Sequence, residues 1–424
     1  MAEEEVEAEA RAPTWAEAQA MEKRLSSIRD KIHDLNSMMA TKDDDNLIFS
    51  GLSEAEREAK KGKAEEERLL LMREYVRLLS ETTRDPDFSG MTEAERAAVA
   101  GRLRREALEE ARRLETAGDS KGAKWKEGEA RILDFDPKQG GIYFNRRADV
   151  YLPTFDHDEE SPFGPMRFTD AVYHKNQTVK LCGAVNILSV KIACSDVGYP
   201  IKVYGTVTAR DNIDNKCVYL FRRGRDHCQV IKFKDNPLIL TGPKRGLALL
   251  DDNFVEIDLK IKDRQGQDRE LSKGVVRIRA KTVGSLEKCK LESKSLATRL
   301  STVDVNYAVV KGAVEATIAV EVLEGDFAGK ITAHTTSIKK SVVLYDSKVA
   351  GDDGHGALQV MRPVVSVHVK DKLVIVAKTG DGESDHRRVI AFTTRVKGRD
   401  EDVIDVGAAK MSVKVSWSIM DPSR

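Results

Sequence analysis

Two hydrophobic periods divide this chain. Along its first part apolar residues recur every three or four positions, the period of a helix; from about residue 179 they alternate with polar ones, the period of a half-buried strand. In the first part Ala18, Met21, Leu25, Ile28, Ile32, Leu35 and Met39 stand 3, 4, 3, 4, 3 and 4 residues apart. That heptad seam makes a narrow apolar stripe, which fits either a coiled coil or an amphipathic helix packed within its own chain. Thr14, with Glu17 three residues on, starts it as a capping box behind Pro13.

Two further helix starts use the same chemistry. Gly51-Leu52-Ser53-Glu54-Ala55-Glu56-Arg57 is echoed by Gly90-Met91-Thr92-Glu93-Ala94-Glu95-Arg96. In each, Ser or Thr caps a helix whose third residue, Glu56 or Glu95, reaches back to the cap. The first helix is predicted to run to about Thr83, before Asp85-Pro86, with Leu69, Met72, Val76 and Leu79 as its apolar line. The second is predicted to run to about Ala117, with Val99, Leu103, Ala107 and Leu114 inward. Stripes this thin do not enclose a core of their own. Residues 1–130 are therefore read as a charged helical arm that self-associates or meets a protein partner.

Residues 131–166 form a junction. Gly140-Gly141, Pro153, Pro162, Gly164 and Pro165 deny both helix and central strand, while Tyr143, Phe144, Tyr151, Phe155 and Phe163 indicate a segment lying over a domain surface. His157 falls in the acidic run Asp156–Glu160 and is read as part of an exposed loop rather than a metal site.

Residues 167–424 are read as one β-rich domain. Val255-Glu256-Ile257-Asp258-Leu259-Lys260-Ile261-Lys262 places four apolar residues on one face and four charged ones on the other. Ile201–Arg210 alternates likewise, and similar runs occur at Val179–Ala193, Val218–Phe221, Gln229–Phe233, Val275–Arg279, Val303–Val322, Ile331–Leu344, Val364–Val369, Leu373–Lys378, Val389–Val396 and Met411–Ile419. Turn signals such as Thr379-Gly380-Asp381-Gly382 and Asp352-Asp353-Gly354 separate them. These runs give roughly a dozen strands with no room for crossover helices, so the pairing is predicted to be mainly antiparallel. The fold class is α+β by segregation: N-terminal charged helices, then a sandwich-like all-β domain of two sheets face to face.

Composition narrows the function classes. Seventy basic and seventy acidic residues cancel, which removes any global charge argument for nucleic acid. No stretch is long and apolar enough for a membrane span, and the acidic start MAEEEVEAEA is unlike a targeting signal. Five cysteines without CxxC spacing predict free thiols and a reducing compartment, the cytosol or nucleus.

Several strings together carry a family resemblance. They are Ser161-Pro162-Phe163-Gly164-Pro165-Met166-Arg167, Val197-Gly198-Tyr199-Pro200-Ile201-Lys202-Val203-Tyr204-Gly205-Thr206-Val207, Ala209-Arg210-Asp211, Tyr219-Leu220-Phe221-Arg222-Arg223-Gly224-Arg225-Asp226 and Leu240-Thr241-Gly242-Pro243. The region they span resembles the domain of unknown function expanded in cereal grasses. Some relatives join that domain to a ribosome-inactivating rRNA N-glycosylase module, which implies a link with defence or stress. Here helices stand where that module would be. Glu110-Ala111-Arg112-Arg113 is superficially similar to the glycosylase active-site helix, but no tyrosine pair accompanies it, and Glu, Ala and Arg fill the whole stretch.

Candidate binding chemistry is sparse. Arg222, Arg223 and Arg225, with Lys244 and Arg245 in a later turn, could gather cations at one end of the domain for a phosphate or a nucleic-acid backbone, or could be solvated turn residues with Asp226 beside them. Asp211, Asp214, Asp251, Asp252 and the Asp381–Asp385 loop could hold calcium, although acidic residues are also ordinary turn formers. The eight histidines show neither HxH nor HExxH spacing, and no nucleophile–base set stands out. No cofactor and no metal is implied. The expectation is a non-enzymatic protein whose β domain binds or interacts, with a ribosome-inactivating relative or a sugar- or phosphate-binding module as the alternatives.

Overall fold

The computed structural model describes residues 15–40, 53–82, 91–173, 179–262, 268–280, 287–351, 354, 356–379 and 386–421. The chain falls into two compact units, residues 1–95 and 96–424.

The first unit is built on α1 (Trp15–Ala40) and α2 (Glu54–Thr82). The predicted Ser53 capping box is in place, its amide and hydroxyl donating to Glu56 Oε2 at 2.9 and 2.6 Å. Leu25 and Ile28 of the heptad seam are buried, with Ile32 and Leu71 packed beside them, and Arg24 bonds Glu74. The seam therefore closes on α2 of its own chain. Leu69 and Met72, predicted to face inward, are 48% and 42% exposed. At about 100° per residue, a helix that turns Leu71 to the seam turns those two away from it. Thr14, and the side chains of Ala18, Met39, Val76 and Leu79, lie outside the described residues.

Beyond them run α3 (Glu93–Thr116) and α4 (Ser120–Ile132). Thr92 and Glu95 form the second capping box, and Asp119 caps α4 by accepting from the Gly122 amide at 2.9 Å. Strands β1 (Leu133–Asp136) and β2 (Gly141–Phe144) then make an antiparallel hairpin inside the predicted junction. Gly140 and Gly141 are its turn rather than a breaker, at φ 76° and 113°.

The strands that follow fall into two sets along the chain. The first set is β3 (Gly183–Ser195), β4 (Ile201–Arg210), β5 (Val218–Arg223), β6 (Gln229–Ile231), β7 (Leu247–Leu249), β8 (Asp252–Lys262), β9 (Asp268–Arg279), β10 (Cys289–Thr298) and β11 (Ser301–Val310). They form sheet I, in the order β10-β11-β3-β7, and sheet II, in the order β5-β4-β8-β9 with β6 also on β4. The second set is β12 (Ala313–Glu324), β13 (Gly329–Thr335), β14 (Val342–Asp346), the short helix α5 (Ser347–Ala350), β15 (Gly356–Ala357), β16 (Val364–His368), β17 (Lys372–Thr379), β18 (His386–Thr393), β19 (Gly398–Val406) and β20 (Ala409–Ile419). Its strands form sheet III, β15-β12-β20-β19 with β16 also on β12, and sheet IV, β14-β13-β17-β18. Pairing within all four sheets is antiparallel.

The single face-to-face pair of sheets expected from the sequence is thus two pairs. Sheets I and II share one core, around Phe221 and Tyr307; sheets III and IV share another, around Tyr345 and Trp417. The cores meet through sheet I, whose other face offers Ala184, Ala248 and Ala308 to the second core. Alanines there let the sheets approach closely. The predicted run Val303–Val322 is broken between β11 and β12 at Gly312, which has φ 46° and joins one sandwich to the next. Gly205 sits mid-strand in β4, where any Cβ would stand 2.2 Å from the Asp258 carbonyl of β8.

Candidate functional site

The five basic residues singled out in the sequence do not form one patch. Arg222 lies over the Tyr219 ring, 4.5 Å from its centroid, and stands 3.8 Å from Glu160; Lys244 bonds the same Glu160 at 2.9 Å. Arg223 donates to the His227 carbonyl, and Arg225 grips Asp268 at 2.8 Å. Arg245 is buried: its guanidinium bonds both Asp211 oxygens at 2.6 and 3.0 Å, Asp214 at 3.2 Å and the Ser161 hydroxyl. Glu160 gathers Arg222 and Lys244, whereas Arg245 is an interior strut that no external anion reaches.

The calcium candidates divide the same way. Asp211 and Asp214 are taken by Arg245, and Asp252 pairs with Arg277. No group of three or more potential metal ligands occurs among the described residues, and Asp381–Asp385 lies outside them. Glu110 stands 3.4 Å from Arg113 in an exposed pair on α3. His157, expected in an exposed loop, is buried, with Nε2 2.8 Å from the Arg147 carbonyl. The strand of residues 255–262 departs from its pattern as well. Glu256, predicted to face solvent, is buried beneath the junction and accepts from Arg146, Arg210 and the Arg147 amide at 2.7, 2.9 and 3.0 Å. Burial pushes its carboxyl up, but hydrogen bonds from Arg210 and the charges of Arg210 and Arg146 outweigh that and hold it below the usual range.

A different feature was missed in the sequence: a cleft where the two sandwiches meet. Its volume is about 330 Å³. One wall is Leu188, Ser189 and Lys191 of β3, with Pro237 to Leu240 running beside them; the other is Val343 and Asp346 of β14, Val349 of α5 and Met361. Two contacts fix these walls. Asn186 of β3 exchanges hydrogen bonds with the backbone of Ser366 in β16, at 2.7 and 2.9 Å. Arg362, buried, reaches across to the carbonyls of Gly242, Leu188 and Ile187.

The cleft's polar groups are few and unevenly satisfied. Arg362 has carbonyl partners but no carboxylate among the described residues, and burial lowers its pKa to about 10. Lys330 pairs with Asp346 at 3.0 Å. Lys191 and Lys340, which also line the cleft, have no anionic partner among the described residues. The Ser189 hydroxyl is buried without a hydrogen-bond partner among the described residues, an uncommon state for an interior polar atom. No residue here pairs a nucleophile with a base. An apolar hollow with a few convergent donors is the ordinary form of a small-molecule site.

A family model described as a domain of unknown function, DUF6598, matches residues 184–415, more than half of the 424-residue chain. No curated protein matches the chain. Among solved structures, human GIVD cytosolic phospholipase A2 aligns at 9% identity and a TM-score of 0.18, covering 57% of this chain and 33% of that one. The same enzyme in complex with methyl gamma-linolenyl fluorophosphonate gives 0.20, again over 33% of its length. Values this low carry no argument about fold or activity.

Proposed function

The chain belongs to the DUF6598 family, a domain of unknown function, and from that premise we propose that it is a non-enzymatic binding protein of the cytosol or nucleus. Its β region takes a small, largely apolar ligand in the cleft between the two sandwiches, and its helices meet a protein partner or a second copy. The observation that carries the first half is the cleft itself: about 330 Å³ of mainly apolar lining, with the Ser189 hydroxyl buried beside it and without a hydrogen-bond partner among the described residues. Ligand sites span roughly 300–1,000 Å³, so the size suits a compact molecule. A purely structural crevice would more commonly satisfy its buried hydroxyl. The second half is supported by Leu69, Leu70 and Met72, which stand exposed in succession on α2.

The test uses the neutral apolar fluorophore N-phenyl-1-naphthylamine with the full chain. We expect saturable binding to the native protein and loss of at least tenfold in affinity for Val349→Trp. Val349 lines the cleft yet is 39% exposed, so a larger side chain there fills the hollow without overpacking a core. Equal binding by both proteins would place the ligand elsewhere.

A further inference from the structure

The charges around the cleft say more about its occupant than the volume does. Lys330 is neutralised by Asp346 at 3.0 Å, whereas Lys191 and Lys340 face the same hollow with no anionic partner among the described residues. Behind them Arg362 is buried with carbonyls alone as acceptors among the described residues, so its full positive charge acts through a medium that screens poorly. Carbonyl dipoles offset part of the cost of burying a guanidinium, and an anion near the mouth would offset more.

We propose that the ligand is an amphipathic anion, an apolar body ending in a small anionic group that Lys191 and Lys340 hold at the cleft. This deepens the cleft reading and rests on it. The apolar body lies against Leu188, Leu240 and Met361. Two ammonium groups are uncommitted, and the Asp346 carboxylate on the same rim is already paired with Lys330. Arg362 contributes its field, not a contact, because its hydrogen bonds already go to the backbone.

Displacement of bound N-phenyl-1-naphthylamine from the full chain separates the two readings, using decanoate below its micellar range, decanol and acetate as competitors at low ionic strength. Decanoate is expected to compete at concentrations about tenfold lower than decanol, the scale of one charge-assisted interaction, and acetate not at all. In a Lys191→Glu, Lys340→Glu double variant the preference for decanoate should vanish while decanol competes as before, which also shows that the cleft has stayed folded. Equal competition by decanoate and decanol in the native protein overturns the proposal and leaves the cleft reading standing. A decanoate preference that survives in the double variant overturns it as well. Absence of any saturable fluorophore binding overturns both.

Discussion

Glu256 shows how a single residue escapes sequence reading. Its alternation with Val255 and Ile257 is that of a solvent face, yet the chain's own Arg146 and Arg147, more than a hundred positions earlier, come to lie on it. Arg245 is the same lesson in a cation, since nothing beside it in sequence announces that Asp211 will enclose it. Buried ionic groups of this kind are costly to break, at about 3–5 kcal/mol when one partner is removed and the other is left stranded. Glu256 also has a signature in pH. Its folded pKa is depressed, so its contribution is complete above the unfolded value near 4.3 and is lost as pH falls from there through the folded value. Glu256→Gln should therefore be less stable than the native protein at pH 7 by about 3 kcal/mol, and the gap should narrow below about pH 4.5. Urea unfolding midpoints at the two pH values measure this. A gap that stays constant with pH would mean that the carboxylate is not held by its arginines.

Among elements, every strand inside a sheet was legible, and so were the edge strands β5, β9 and β18, whereas some other edge strands were not. Ile201–Arg210 is β4 to the residue, and β16, β17 and β20 fall within a residue or two of their alternating runs. The strands without a predicted counterpart, β7, β10, β15 and β19, each end a sheet. β19 carries exposed charged residues along most of its length, as edge strands do to discourage further pairing, and this erases the alternation that marks a buried face. Helix starts were legible for a complementary reason. A capping box is local chemistry, and the amides of both Ser53 and Thr92 donate to the glutamate three residues on, as their spacing requires. Which face of α2 turns inward was not legible, because Leu69, Leu70, Leu71 and Met72 are all apolar and only the partner helix selects among them. If the exposed three serve a second copy, Leu69→Glu with Met72→Glu should abolish any concentration-dependent rise in mass seen by light scattering of the full chain. A rise unchanged in that variant would exclude this face as the contact.

At the scale of the whole β region, the decisive fact is that its strands build two sandwiches in sequence rather than one. Each core is assembled from alternating runs that were visible, but the count of sheets depends on pairings that sequence does not state. The cleft follows from that count. β3 is distant in sequence from β14 and from Met361, and Ser189 looks like any polar residue on an alternating strand until the second sandwich covers it. The predicted Arg222–Arg225 turn belongs to the first sandwich and lies among its own carboxylates and rings. Hydrogen exchange of the full chain, with and without saturating N-phenyl-1-naphthylamine, therefore tests the central claim most directly. Slowed exchange should concentrate in residues 187–191, 237–240 and 341–349, with the 222–225 turn unchanged. Slowing confined to that turn or to α2, with the inter-sandwich walls unaffected, would contradict it.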